Sequence, residues 1–136
     1  MGFHSVPDIP EMLIDGHLRQ YMRWFFTEFA GVPGAVSAES LDHYVELYEQ
    51  PGALRAFLQY YTHFWVHGAQ VREHMTQKLA IPVLAYGGDA SQGELTVTCM
   101  RELADDVRGS VIPNCGHWVA EEQPGFVLAR LQEFLA

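Results

Sequence analysis

The sequence predicts an α/β protein in which a helical region precedes a β-α-β-α unit with two parallel strands. Up to residue 78, apolar residues recur at three- and four-residue spacing, which is the period of amphipathic helices. From Leu79 onward, two short apolar runs are each followed by one helical segment, an order typical of a parallel sheet. We therefore divide the chain into a helical region, residues 1–78, and an α/β region, residues 79–136.

Three helices are expected in the helical region. The first begins after Asp8, whose carboxylate is suited to accept hydrogen bonds from the free N–H groups of the first turn. The second begins after Ser37, another residue type favoured at helix N-caps. The third is strongly aromatic and is expected to end at Gly68. The predicted helices are Ile9–Ala30, Ser37 to Pro51, and Ala53–Val66.

The α/β region has two expected strands and two expected helices. Ile81–Tyr86 is a nearly continuous apolar run, as in a strand that is buried on both faces, and Val107–Pro113 is the second strand. The helices are expected over Gly93–Ala104 and Glu121–Leu135, with Pro124 in the first turn of the latter. Two parallel strands do not form an independent sheet, because each needs further hydrogen-bonded neighbours and covering helices. We therefore expect the sheet to be completed only by association.

Composition indicates a folded protein and argues against some partners. The 136 residues are 49% hydrophobic and 12% aromatic, as in a globular domain. A formal net charge of −9 opposes binding to the phosphates of nucleic acids. No apolar run approaches the roughly 20 residues of a membrane span, and the first residues do not have the pattern of a secretory signal peptide. We expect a cytoplasmic protein whose two cysteines are free thiols.

The loop after the second expected strand and the residues around it resemble the C-terminal end of an α/β-hydrolase. The segment Ile112–Trp118 is followed by the sequence Glu-Glu-Gln-Pro and a terminal amphipathic helix. The closer resemblance is to the branch of the epoxide hydrolases and the haloacetate and haloalkane dehalogenases. Lys78–Leu84 and Ala104–Gly109 resemble the segments that lead into the last two core strands, and residues 3–70 resemble the helical cap. The resemblance covers essentially the whole chain and implies a partial α/β-hydrolase fold.

The resemblance also implies a two-step hydrolysis. In that family a nucleophilic aspartate forms an ester with the substrate, a histidine activates water against the ester, and an acid orients the histidine. Here His117 matches the histidine, and Asp89, in the loop after the penultimate strand, is one choice for the acid. The usual Gly-x-x-Asp spacing would instead fall on Ser91, and in this branch the acid can follow an earlier strand that this sequence lacks.

Aromatic residues complete the site that the resemblance implies. Tyr61 matches a cap tyrosine that donates a hydrogen bond to the epoxide oxygen, and a phenol suits this role because it stays protonated at neutral pH. A core position for the same ring is the alternative. The expected substrate-binding residues are Trp118, Tyr60 and Phe57.

Neither a metal nor another cofactor is expected. His63 and His67 lie one helical turn apart, but no carboxylate or cysteine is set at a matching spacing to complete a metal site. Cys115 lies two residues from His117, and alternate residues of an extended segment need not meet, so a catalytic thiolate pair is not expected either.

The sequence lacks the Gly-x-Asp/Ser-x-Gly turn that carries the nucleophile in such hydrolases. We therefore expect a hydrolase-like fragment that is inactive alone and that takes a small apolar substrate or ligand. Its unpaired strand edge and exposed apolar faces predict a homo-oligomer or a complex with a separately made N-terminal half. The alternatives are a non-catalytic oligomeric binding or assembly module derived from the cap, and a chain with no function of its own.

Overall fold

The computed structural model describes residues 2–136, which form eight helices and one sheet of two parallel strands. This confirms the predicted α/β class and the order of a helical region before a β-α-β-α unit. None of these helices is long and apolar enough to cross a membrane. The elements are α1 (Ile9–Ile14), α2 (Leu18–Glu28), α3 (Ala38–Tyr48), α4 (Ala53–Thr62), α5 (Phe64–His74), β1 (Val83–Gly88), α6 (Glu94–Leu103), β2 (Val107–Ile112), α7 (Val119–Glu122) and α8 (Pro124–Leu135).

The chain divides into two compact units. Residues 2–25 and Ser37–Thr76 form the first unit, which contains α1, most of α2, and α3 to α5. Phe26–Val36 and Gln77–Ala136 form the second unit, which contains the sheet and α6 to α8. The segment Phe26–Val36 thus packs with the α/β region although it lies within the helical part of the sequence.

The prediction of one long first helix is wrong, because two helices, α1 and α2, occupy its place. Gly16 between them has a φ of +72°, a left-handed conformation that cannot continue a right-handed helix. The predicted start is confirmed, because α1 begins at Ile9 with Asp8 at its N-cap position, but the side chain of Asp8 makes no capping hydrogen bond and its carboxylate lies 3.5 Å from the guanidinium of Arg55. The apolar period continues across Gly16 and does not reveal the turn.

The third predicted helix is also two helices. α4 ends at Thr62, and α5 starts again at Phe64 and continues to His74. Gly68, which the sequence predicts as the end of the helix, lies inside α5. A single glycine costs a helix only about 1 kcal/mol, so it does not by itself end one.

The other helix boundaries agree more closely with the sequence. Ser37 caps α3 as predicted, because its Oγ accepts a hydrogen bond from the backbone N–H of Ser40 at 3.0 Å. The last predicted helix is interrupted at Gln123, which separates the short α7 from α8. Pro124 occupies the first turn of α8 as predicted.

The core of the first unit is built by its first four helices. A buried apolar side chain comes from each of them, whereas α5 contributes none. Much of the apolar surface of α5 is exposed instead, including the ring of Trp65. The buried apolar residues of this unit are Ile14, Met22, Phe25, Leu41, Val45 and Leu58.

The two strands pair in parallel, from Val83 opposite Val107 to Gly88 opposite Ile112. α6 packs against both strands through Val97, which is fully buried. Gly109 on β2 has a φ of +146°, and a Cβ atom there would collide with the carbonyl oxygen of Ala85 on β1. Only glycine therefore allows the strands to approach at this point.

Much of the apolar surface of the second unit has no cover within residues 2–136. Each strand has one hydrogen-bonded neighbour there, so one edge of each stays open. α8 has no buried residue, and Leu128, Leu131 and Leu135 on it are exposed. On the predicted inner face of this helix, Val127 and Phe134 are half-buried, and the guanidinium of Arg108 lies over the ring of Phe134, whereas the three leucines stay exposed.

We predict that Gly109→Ala lowers the free energy of unfolding by about 3 kcal/mol, because the added methyl group forces β1 and β2 apart. Gly125→Ala is the matched control: no atom lies within 4 Å of a Cβ at this position in α8, and alanine favours helix by up to about 1 kcal/mol. Urea denaturation of both variants measures the difference. Equal stability of the two variants would contradict the close approach of the strands.

Candidate functional site

His117 lies in the loop that connects β2 to α7. In parallel α/β sheets, the loops at the carboxyl ends of the strands form the binding crevice. Cys115 and Gly116 of this loop are buried, whereas the side chain of His117, the next residue, is exposed. Asn114 adopts a φ of +53°, which turns the chain directly after the strand. The imidazole is thus exposed on a loop whose base is buried.

The carboxylate of Glu122 binds the backbone on both sides of His117. Its Oε2 accepts a hydrogen bond from the N–H of Gly116 at 2.8 Å, and its Oε1 accepts one from the N–H of Trp118 at 2.9 Å. Oε2 also accepts hydrogen bonds from the N–H groups of Gly31 and Val32, at 2.7 and 2.8 Å. One side chain thereby joins the histidine loop to the segment that follows α2.

Two glycines allow these segments to come so close. A Cβ atom on Gly31 would lie 2.6 Å from the backbone nitrogen of Gly116, and a Cβ atom on Gly116 would collide with the backbone nitrogen of Gly31. A side chain at either position would therefore separate the N–H groups that share the carboxylate of Glu122.

Glu122 is a charged group inside the protein, with a relative exposure of 7%. Burial alone raises the pKa of a carboxyl group, but the four N–H donors favour the charged form more strongly and hold the pKa of Glu122 below its usual value. The side chain is therefore an anion at neutral pH, and its charge is balanced by backbone dipoles.

Residues near the end of α2 hold the histidine itself and its neighbour. The N–H of His117 donates to the carbonyl oxygen of Phe29 at 2.9 Å, and the indole Nε1–H of Trp118 donates to the carbonyl oxygen of Phe26 at 3.0 Å. The ring of Trp118 lies with its centroid 4.6 Å from that of Phe26 and 4.8 Å from that of His117. Trp118 is therefore fixed beside the imidazole.

Asp89, which follows β1, also binds the backbone of the histidine loop. Its Oδ2 accepts a hydrogen bond from the N–H of Asn114 and its Oδ1 one from the N–H of Cys115, both at 3.0 Å. These bonds, that of Cys115 foremost, lower the pKa of Asp89. The Nδ1 atom of His117 is hydrogen bonded to Ser91 Oγ at 3.4 Å, so the structure brings the imidazole to Ser91. A role of Asp89 as the orienting acid stays a prediction.

Tyr61 belongs to an aromatic cluster of the first unit. Its ring centroid lies 5.5 Å from that of Phe57 on the same helix. Burial, followed by the neighbouring Tyr48, raises the pKa of Tyr61, so its phenol is protonated at neutral pH. Tyr60, the third predicted residue of α4, has a relative exposure of 74%.

His4 is a member of this cluster that sequence reasoning missed. Its imidazole is buried, its centroid lies 4.8 Å from that of Tyr61, and its Nε2 is hydrogen bonded to the hydroxyl of Tyr21 at 2.7 Å. Burial lowers the pKa of His4 and raises the pKa of Tyr21. No spacing in the sequence relates His4 to α4, and no signal there could have found it.

The sequence also did not single out Glu122, although it lies in the Glu-Glu-Gln-Pro segment after the loop. A possible signal is its position four residues after Trp118, from which a carboxylate can reach back to a free N–H at a helix start. Nothing in the pattern distinguished Glu122 from the adjacent Glu121, because the second attachment point, Gly31, lies 91 residues away in sequence.

The remaining candidates from the sequence are a histidine pair at the start of α5 and the cysteine of the histidine loop. The rings of His63 and His67 stack with their centroids 6.0 Å apart, and residues 2–136 contain no group of three or more side chains placed to hold a metal ion. Burial, followed by the charges of Glu122 and Asp89, raises the pKa of Cys115. The sulfur of Cys115 is therefore a buried thiol rather than a thiolate at neutral pH.

No protein-family model matches the sequence. Two curated proteins are similar to it. The soluble epoxide hydrolase of Corynebacterium sp. (strain C12) is 33% identical over 132 residues, which are 96% of this chain and 46% of that protein. Epoxide hydrolase A of Mycobacterium tuberculosis (strain ATCC 25618 / H37Rv) is 32% identical over 112 residues, 79% of this chain and 34% of that protein. The chain thus spans less than half the length of these relatives.

Three similar solved structures are also matched over less than half of their length. Cfl2 of Burkholderia cenocepacia has a TM-score of 0.88 and 33% identity, over 99% of this chain and 46% of its own. Epoxide hydrolase CorEH has a TM-score of 0.88 and 33% identity, over 97% and 47%. The Cif epoxide hydrolase of Acinetobacter nosocomialis has a TM-score of 0.82 and 27% identity, over 99% and 44%.

We predict that Glu122→Gln lowers the free energy of unfolding by about 2–3 kcal/mol at pH 7, since buried N–H groups lose a charged acceptor. Because folding lowers the pKa of Glu122, its stabilising effect is present above the usual glutamate pKa of 4.5 and is lost as the pH falls through the lower value of the folded state. Urea denaturation at pH 7 and at pH 3 should therefore show a stability difference that shrinks on acidification.

Glu102→Gln is the control for this prediction, because Glu102 is an exposed residue of α6. Its effect should stay small at both pH values. A difference between wild type and Glu122→Gln that is the same at pH 7 and pH 3 would contradict a charged Glu122.

Proposed function

We propose that this chain, a homologue of part of the α/β-hydrolases of the epoxide hydrolase branch, supplies the water-activating histidine of an epoxide-hydrolysing site. The observation that carries the proposal is the placement of His117. Its imidazole is exposed on a loop at the carboxyl end of β2, and the backbone around it is held by Glu122, Asp89 and Phe29. A general base needs this combination of a fixed position and an accessible nitrogen.

The chemistry assigned to His117 is the second step of the reaction. The substrate of this step is an ester, in which a carboxyl oxygen of an aspartate is bonded to one carbon of the former epoxide. His117 Nε2 takes a proton from water as the water oxygen bonds to the ester carbonyl carbon; the bond from that carbon to the alkoxide oxygen then breaks, and the alkoxide takes up the proton to leave a diol. The contact of Nδ1 with Ser91 leaves Nε2 for this transfer.

Tyr61 is assigned to the first step, in which the aspartate opens the epoxide. Its protonated phenol is a suitable donor to the oxygen that becomes an alkoxide, because charge develops on that oxygen as the ring opens. Tyr60, Phe57 and Trp118 offer aromatic surface to a small apolar substrate.

The nucleophile has to come from further polypeptide, since no Gly-x-Asp/Ser-x-Gly sequence occurs in these 136 residues. We propose that such polypeptide, with the remaining strands of an α/β-hydrolase, completes the sheet and covers α8, and that residues 1–136 alone are inactive. The open strand edges, the exposed leucines of α8 and relatives about twice as long support this partner. If residues 1–136 sediment as a stable monomer at micromolar concentration, the exposed apolar surface does not need a cover, which argues against the proposal. A defined oligomer would indicate that a second copy of the chain is the cover.

A hybrid protein tests the proposed function. The part of the Corynebacterium epoxide hydrolase that lies outside the match is joined in front of this chain. We expect diol release from aromatic and aliphatic epoxides by the hybrid and none by residues 1–136 alone. His117→Ala should lower kcat by at least about 10³-fold, because the water-activating base is lost.

His74→Ala is the control, because His74 is an exposed histidine at the end of α5. It should leave the rate of the hybrid unchanged. A hybrid that is folded but releases no diol, or that is equally active with His117→Ala, would overturn the proposed function.

For Tyr61→Phe in the same hybrid, we predict a fall in kcat/KM for epoxides of about 10²-fold, because one donor to the developing alkoxide is removed. Tyr86→Phe, which removes a hydroxyl from a ring packed on Phe126 in the second unit, should have no such effect. Initial rates of diol formation measure both. If the two variants behave alike, Tyr61 is a packing residue of its cluster.

A further inference from the structure

We propose that Glu122 is the positioning residue for His117: its carboxylate fixes the loop backbone on both sides of the histidine against Phe29–Val32 and so sets the direction of the imidazole. This inference rests on the proposed function of His117. Glu122 itself is buried and contacts backbone rather than any surface open to substrate, so it acts only through the loop.

The first support is the pattern of hydrogen bonds around His117. The N–H groups immediately before and after it, those of Gly116 and Trp118, are bound by the two different oxygens of Glu122. The N–H of His117 itself is bound by Phe29. Three consecutive N–H groups therefore have fixed acceptors outside the sheet, and the φ and ψ angles of His117 have little freedom.

The second support is the sharing of Oε2. This oxygen accepts three hydrogen bonds, from Gly31 and Val32 on one segment and from Gly116 on the other, all between 2.7 and 2.8 Å. Without an acceptor between them, three N–H dipoles, of which that of Gly116 belongs to a buried residue, would point toward one another with no partner in the protein. The contact of the two segments thus depends on an acceptor oxygen at this position.

A glutamine cannot replace this carboxylate fully. If its carbonyl oxygen keeps the three bonds of Oε2, its amide NH₂ faces the N–H of Trp118, which is donor against donor. The variant Glu122→Gln therefore releases the backbone on the C-terminal side of His117 first. A purely structural role predicts instead a loss of stability without a selective change at the histidine.

The test has two readouts. In NMR spectra of residues 1–136, Glu122→Gln should shift the amide proton of Trp118 upfield and move the ring resonances of His117, while Glu102→Gln leaves both in place. In the hybrid with the Corynebacterium segment, Glu122→Gln should lower kcat by about 10²-fold, the effect of displacing a reacting group by 1 Å, with KM changed less than about twofold.

A loss of stability together with unchanged His117 resonances and a kcat equal to that of Glu102→Gln would overturn the inference. If Glu122→Gln does not fold, Glu122→Asp, which keeps the charge but draws it back by one methylene, carries the same readouts. It should then lower kcat at a stability nearer to wild type, and a wild-type kcat would overturn the inference. If the wild-type hybrid is inactive, the proposed function fails, and the NMR comparison still decides the role of Glu122.

Discussion

The buried carboxylate of Glu122, with four backbone N–H groups around it, is the interaction on which the candidate site depends. A loop that leaves a strand has no ladder to satisfy its N–H groups, and buried N–H groups need acceptors. Glu122 supplies them to Gly116 and Trp118 and, through Oε2, also to Gly31 and Val32. These bonds contribute to the packing of Phe26–Val36 with the α/β region, together with the contacts of Phe26 with Trp118 and of Phe29 with His117.

Two carboxylates and one carbonyl together account for every N–H group of the histidine loop. Asp89 binds its first two N–H groups, Glu122 binds the N–H groups of the residues before and after His117, and the carbonyl oxygen of Phe29 binds the N–H of His117 itself. Pro113, which precedes these residues in the loop, has no N–H that needs an acceptor. The result is a rigid backbone beneath an exposed imidazole. The N–H groups concerned are those of Asn114, Cys115, Gly116, His117 and Trp118.

The sequence predicted the features that local chemistry determines. The apolar runs at β1 and β2, the cap Ser37 and the position of His117 after a strand all depend on residues close together in the chain. The turn at Gly16 escaped prediction because the apolar period continues across it. The attachments of Glu122 to Gly31 and of Asp89 to Cys115 escaped it because each joins residues distant in sequence, and the charge pattern carries no trace of such contacts.

We propose that His117 activates water against an ester formed elsewhere in the site. Mass spectrometry of the hybrid carrying His117→Gln, after incubation with an epoxide, tests this claim. Without the base, the ester should persist, and the protein should gain the mass of one substrate molecule, on the segment that carries the nucleophile. Wild-type hybrid should show little of this species at steady state. Diol release by His117→Gln at the wild-type rate, with no mass gain, would contradict the claim.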